Sequence, residues 1–251
     1  MMRNPMGASG LHLGPEKQWS ISKSDGLAEN TLVIFTSDNG GIINIAGQKA
    51  VKQGHQMNGE LLGFKFDAWE GGHRVPFIAR WPGQIEAGSV SDQLILNVDL
   101  LSTMASLTGQ KLGPEDGLDS YDILPALTGS PEKPIRDHLV MGASKASHLA
   151  LREGDWCYIG AKGGGGFGSA KVGDHGFGGP AALQFTGQVN SDIIDGKLKK
   201  GAPTAQLYNL QSDVSQSKNV ILEHAERAKT MQARLDQIKA SQGTRLPSRG
   251  L

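Results

Sequence analysis

The sequence predicts an α/β fold: part of a large sheet domain covered by helices, plus a small antiparallel C-terminal subdomain with a long terminal helix. Three observations predict it. Thr31-Leu-Val-Ile-Phe-Thr-Ser-Asp-Asn-Gly-Gly41 is a short apolar run that stops at an acid, an amide and two glycines. Leu32 to Phe35 form a continuous rather than alternating run, which suits a strand covered on both faces as in a parallel sheet. Asn97 to Gly109 has helical spacing, with Leu100, Met104 and Leu107 on one face, Asp99 as the N-cap and Gly109 beyond the end. From Asn219 onward, Ile221, Ala225, Ala228, Met231, Leu235 and Ile238 keep helical spacing until Gly243, which predicts the terminal helix.

Taken in order, residues 1–29 form an irregular lead-in with few apolar positions, so the first strand arrives without its sheet neighbours. Residues 30–135 make up the sheet part. In it, residues 42–63 read as a loop, Pro76 to Pro82 as a short strand entered at a proline, and Ile123 to Gly129 as a helical turn. Residues 136–251 make up the C-terminal subdomain, with a Gly-rich loop over 160–179. His138-Leu-Val-Met is a strand, and Leu149 to Arg152 and Trp156 to Ile159 form a hairpin around Glu153-Gly-Asp155. Gln206 to Leu210 supplies another strand. Glycine contributes 35 of 251 residues, about twice its usual share, so long irregular loops are expected.

Composition excludes several functions. Basic and acidic side chains number 25 each, so no net field draws in nucleic acid or an anionic membrane, and neither is expected as a partner. The single cysteine, Cys157, rules out an internal disulfide framework and reads as a small buried hydrophobe. No apolar run reaches membrane-span length and no signal-peptide core is present, which leaves localisation open.

Strand ends in open α/β sheets are where ligands are held, which places Asp38 and Asn39 as candidates, although Asp-Asn-Gly also serves an ordinary turn. His55 and His73 are further candidates, against the default of a solvated loop histidine. Arg74 is expected to pair with Glu70 and brace the Gly71-Gly72 turn. The Gly163-Gly-Gly-Gly-Phe-Gly168 tract lacks a preceding strand and a Gly-Lys-Ser/Thr ending, so it is expected to be a surface loop near the site rim rather than a phosphate loop.

Together, Thr36-Ser-Asp-Asn-Gly-Gly41, Gly63-Phe-Lys65, Trp69-Glu-Gly-Gly-His-Arg-Val-Pro76 and Arg80-Trp-Pro-Gly83 resemble the type I sulfatase (arylsulfatase) family of the alkaline phosphatase superfamily. Asp119 to Gly129 and Gln206-Leu-Tyr-Asn-Leu-Gln-Ser-Asp213 resemble later segments of the same family. The resemblance covers roughly residues 30–240, the later half of a full member. It implies sulfate-ester hydrolysis of an aryl or carbohydrate sulfate. Asp38 and Asn39 would be calcium ligands, Lys65 the catalytic cation on the sulfate group, and His55 a substrate contact. A carboxylate beside an amide carbonyl suits an oxygen-seeking calcium, whereas zinc prefers nitrogen or sulfur. Asn39 thus disfavours the superfamily's phosphatase and phosphonate hydrolase alternatives. The family's nucleophile is a formylglycine made from Cys/Ser-x-Pro/Ala-x-Arg, and that motif does not occur here. The isolated chain is therefore expected to be inactive, with a missing N-terminal half as partner. A non-catalytic anion-binding module is the alternative from another class. Leu62 stands where the family often has arginine, which implies a more apolar rim.

Overall fold

The computed structural model describes residues 26–167, 177–241 and 243–244. Strand β1 (Val33–Thr36) is followed by helix α1 (Ile45–Lys52), the single turn α2 (Glu70–His73) and strand β2 (Phe77–Arg80). Helices α3 (Leu100–Leu107) and α4 (Leu124–Thr128) come next. Strands β3 (His138–Gly142), β4 (Leu149–Glu153) and β5 (Trp156–Ile159) lead to helix α5 (Pro180–Thr186). The short pair β6 (Ile193–Ile194) and β7 (Lys197–Leu198) precedes β8 (Gln206–Asn209), and α6 (Ala225–Ser241) closes the order.

Two sheets matter for the site. β1 pairs with β2 alone among the described residues, and the pairing is antiparallel, with Phe35 opposite Ile78. The parallel, doubly covered setting expected for β1 is therefore not what the described residues show. A two-stranded ribbon gives its strand one neighbour, and Phe35 and Ile78 both lie exposed on the same face.

The second sheet has the order β3-β4-β5-β8, antiparallel throughout. Its side chains alternate between two cores, as the period of two requires. Leu151, Tyr158 and Leu207 pack under Ala228, Met231, Leu235 and Ile238 of α6. Ala150, Cys157, Ile159 and Tyr208 face the other way, toward Leu62, Ala68, Trp69 and Leu183. The expected hairpin, the β8 strand, the buried cysteine and the long helix are all present. What the sequence did not suggest is that both faces of this small sheet are covered, with the 61–70 segment forming the second lid.

Four local expectations need correction. Residues 42–63 are not all loop: Asn44 caps α1 by accepting from Gly47 N, a signal that lay in the sequence behind a weak apolar pattern. Asp99 does not cap α3. Its carboxylate accepts from Leu96 N and Tyr121 N and pairs with the buried Arg136. α3 also buries Ser102 and Thr103, whose hydroxyls bond Ser120 O and Asp99 O, while Met104 is exposed. Satisfied small polar groups can thus occupy the inner face of a helix and turn its apolar stripe outward. Finally, Gly163, Gly164 and Gly166 are buried, not a surface loop.

Close backbone approach fixes several glycines. A Cβ on Gly40 would run into the Gly71 carbonyl, and one on Gly164 would enter the Trp69 ring. Gly40→Ala is therefore expected to cost about 1–3 kcal/mol or more through overpacking. Gly129→Ala, which meets only Pro125 O at 3.7 Å, should stay within about 0.5 kcal/mol. Urea denaturation of the two variants checks this, and equal stabilities would contradict the tight approach.

Candidate functional site

The loop leaving β1 is stitched to the 58–72 segment. Gly41 N donates to Asn58 Oδ1 at 2.8 Å, and Asn58 Nδ2 donates onward to Gly63 O at 2.9 Å. Lys65 N donates to Gly41 O at 2.9 Å, and Gly40 N to Gly72 O at 3.0 Å. Asn58 is buried, so both of its bonds work in a low-dielectric setting where an unmade bond would be costly. The result brings the backbone of Lys65 directly against the loop that carries Asp38 and Asn39.

On that loop, Ser37 Oγ donates to Asn39 O at 2.9 Å, and Asn97 Nδ2 donates to Ser37 O at 2.7 Å. Asn39 Nδ2 donates to Asp38 Oδ1 at 2.5 Å. Asp38 is exposed and Asn39 half-buried. Asp38 Oδ2 and Asn39 Oδ1 accept no bond from the described residues, so two oxygens remain for a ligand. Among the described residues, no three His, Cys, Asp or Glu side chains converge into a metal cluster.

The lysine segment is conformationally unusual. Phe66 has φ +84°, a region that costs a non-glycine residue about 1–3 kcal/mol. Gly63 just before it has φ +83°. Lys65 Nζ lies 5.6 Å from the Phe66 ring centroid, within cation–π range. Asp67 then anchors the turn: Oδ2 accepts from Phe64 N at 2.9 Å and Oδ1 from Gly179 N at 2.7 Å. Ala68 N donates to Gly164 O at 2.7 Å, which lays the glycine tract along the lysine segment. The sequence did not suggest this anchoring role for Asp67. Its signal was an acid two residues from the candidate lysine in a chain that also contained a run of glycines needing a partner.

The remaining candidates fall into different places. His55 is exposed, just beyond α1. His73 is half-buried, its Nε2 lies 3.1 Å from Ala68 O, and burial lowers its pKa. Arg74 does pair with Glu70, at 3.4 Å, and Arg152 adds a second cation at 3.2 Å that the sequence did not suggest. Leu62 is a fully buried core residue beside Trp69, not part of an apolar rim. Cys157 is buried, and burial pushes its thiol well above the usual range, which leaves it unreactive.

A sequence model of the family described as Sulfatase matches residues 22–110. N-acetylgalactosamine-6-O-sulfatase of Bacteroides thetaiotaomicron is 30% identical over 217 residues, 85% of this chain and 37% of that protein. Human steryl-sulfatase is 35% identical over 130 residues, 49% of this chain and 22% of that protein. A solved structure from the glycosaminoglycan metabolism of Bacteroides thetaiotaomicron superposes with a TM-score of 0.68 at 27% identity, covering 90% of this chain and 42% of that one. The chain thus spans well under half the length of each of these three proteins.

The buried anchor has a pH signature. Burial pushes the Asp67 carboxyl up to about 7, against backbone N–H groups and the Lys145 charge that pull it down. The folded value lies above the unfolded 3.8, so the folded state binds this proton more tightly. Its stabilising contribution is complete below about pH 4 and lost as pH rises through about 7. Relative to Asp67→Asn, the parent should therefore lose stability between about pH 4 and 8. Parallel pH profiles from urea denaturation would show that Asp67 does not titrate in this window.

Proposed function

Residues 22–110 belong to the sulfatase family, and on that premise we propose that this chain grips the sulfate group in a sulfuric ester hydrolase acting on aryl or carbohydrate sulfates. The single observation carrying the reading is the Lys65 N to Gly41 O bond at 2.9 Å, which sets the lysine beside the loop of Asp38 and Asn39. Lys65 presents a compact ammonium that can neutralise charge developing on sulfate oxygens as the ester bond breaks. His55 is the secondary candidate for substrate contact.

The free oxygens of Asp38 and Asn39 fit a hard cation such as calcium, and in the proposal these two residues would hold it. When bound, calcium supplies positive charge for the sulfate oxygens, and the family's formylglycine supplies the nucleophile. This chain's own residues bind and orient the anion. Two oxygens are few for a cation that takes 6–8, and the nucleophile motif is absent from the sequence, so the proposal makes the chain inactive alone.

Joined to an upstream segment that carries the formylglycine motif and an acidic pair, the chain should hydrolyse a chromogenic aryl sulfate. Lys65→Ala should then cost on the order of 100- to 1000-fold in rate. The exposed Lys199→Ala should cost almost nothing. Equal rates for the two variants would remove Lys65 from the sulfate site. In the isolated chain, calorimetric titration should find calcium binding weaker than micromolar, and a submicromolar constant would mean that further oxygens complete the shell.

A further inference from the structure

We propose that Phe66, Phe167 and Phe177 form a platform for the organic ring of the sulfate ester, so that the site selects esters whose ring is flat and apolar over sulfated sugars. The inference rests on the reading of Lys65 as the sulfate-binding cation. The Phe66 and Phe167 ring centroids are 5.3 Å apart and tilted by 36°, and those of Phe167 and Phe177 are 6.0 Å apart and tilted by 31°. These spacings are those of mutually attractive aromatic pairs. The outer two rings are open to solvent, with Phe167 52% and Phe177 45% exposed.

The patch is a built feature. Phe167 N donates to Phe177 O at 2.8 Å, which ties the two outer ring residues directly to one another. Ser144 Oγ donates to Gly166 O at 2.7 Å, and Gly179 N is tied to Asp67, so the residues beside both outer rings are fastened. Phe66 bears a positive φ beside Lys65, and strain of that kind persists only where surrounding structure enforces it. The strained turn keeps the innermost ring within 5.6 Å of the ammonium.

Position decides the occupant. The Phe66 ring centroid lies 5.6 Å from the Lys65 ammonium and 5.3 Å from that of Phe167, so the aromatic patch begins at the cation. Phenylalanine offers no hydroxyl or N–H, and the three rings expose only π faces and edges. A pyranose placed there would lose water from its hydroxyls without replacement bonds, whereas an apolar ring would gain contact area at no such cost.

The test titrates the 251-residue chain with 2-naphthyl sulfate, 2-naphthol, inorganic sulfate and N-acetylgalactosamine 6-sulfate, followed by ligand-observed NMR. Phe167→Ala and Phe177→Ala should each weaken 2-naphthyl sulfate and 2-naphthol about fivefold or more, while inorganic sulfate and the sugar sulfate are unchanged. Lys65→Ala should weaken both 2-naphthyl sulfate and inorganic sulfate. If Lys65→Ala leaves inorganic sulfate binding intact, the sulfate reading fails, and the naphthol arm still judges the platform. The proposal is overturned if the Phe variants leave 2-naphthyl sulfate unaffected, if the sugar sulfate suffers equally, or if the parent binds no 2-naphthyl sulfate at millimolar concentration. It is also overturned if sedimentation shows the parent self-associating and the Phe variants monomeric, since a second copy would then cover the patch.

Discussion

One buried amide holds the parts of this chain together. Gln206 lies fully buried on β8, and its Oε1 accepts from Trp69 Nε1 at 3.0 Å and from the Tyr208 hydroxyl at 2.6 Å. Its Nε2 donates to Ala161 O at 2.7 Å and Gly163 O at 2.9 Å. A single side chain thereby fastens the segment after Lys65, the four-stranded sheet and the start of the glycine tract. Tyr208 extends the chain of bonds by accepting from Asn190 Nδ2, which also donates to Gln216 O. Gln216 Oε1 in turn accepts from Glu70 N at 2.7 Å. Such a network specifies one arrangement strongly, because any slipped register would strand several buried polar groups.

The same logic explains the charges beside it. Glu70 is buried in the first turn of α2, where its Oε2 faces both Arg74 and Arg152. Removing either a buried acid or its cations leaves an uncompensated charge, a change that costs about 3–5 kcal/mol in buried pairs. These arginines are therefore paired with Glu70 and brace the fold, while Lys65, five residues before Glu70, takes no part in that cluster.

Local patterns made much of the fold legible. The hairpin around Glu153-Gly-Asp155, the β8 strand and the long α6 helix follow from period-two and helical spacing, and their partners lie close in sequence or on an adjacent face. What was not legible depends on distant contacts. Asn58 looks like a loop residue until Gly41 and Gly63 are brought to it, and Leu62 looks like a rim substitution until Trp69 and Ile159 enclose it. The exposed apolar stripe of α3 is the same lesson reversed, since only Ser120 and Ile123 reveal why Ser102 and Thr103 turn inward.

Glycine explains how a lysine segment can be both rigid and open. Gly71 and Gly72 sit against the carbonyls of Leu61, Leu62, Gly63 and Asp67 at distances no side chain could share, and Gly40 sits against Gly71. Backbone packed on backbone leaves little room for adjustment, so the strain at Phe66 cannot relax without breaking the contacts on either side. The glycine tract meets the other flank through Ala68 N, and the Asp67 carboxylate ties that flank to Gly179 N. Side chains between these layers would have moved Lys65 away from the β1 loop and filled the space in front of it. Their absence brings the Lys65 backbone directly against the β1 loop.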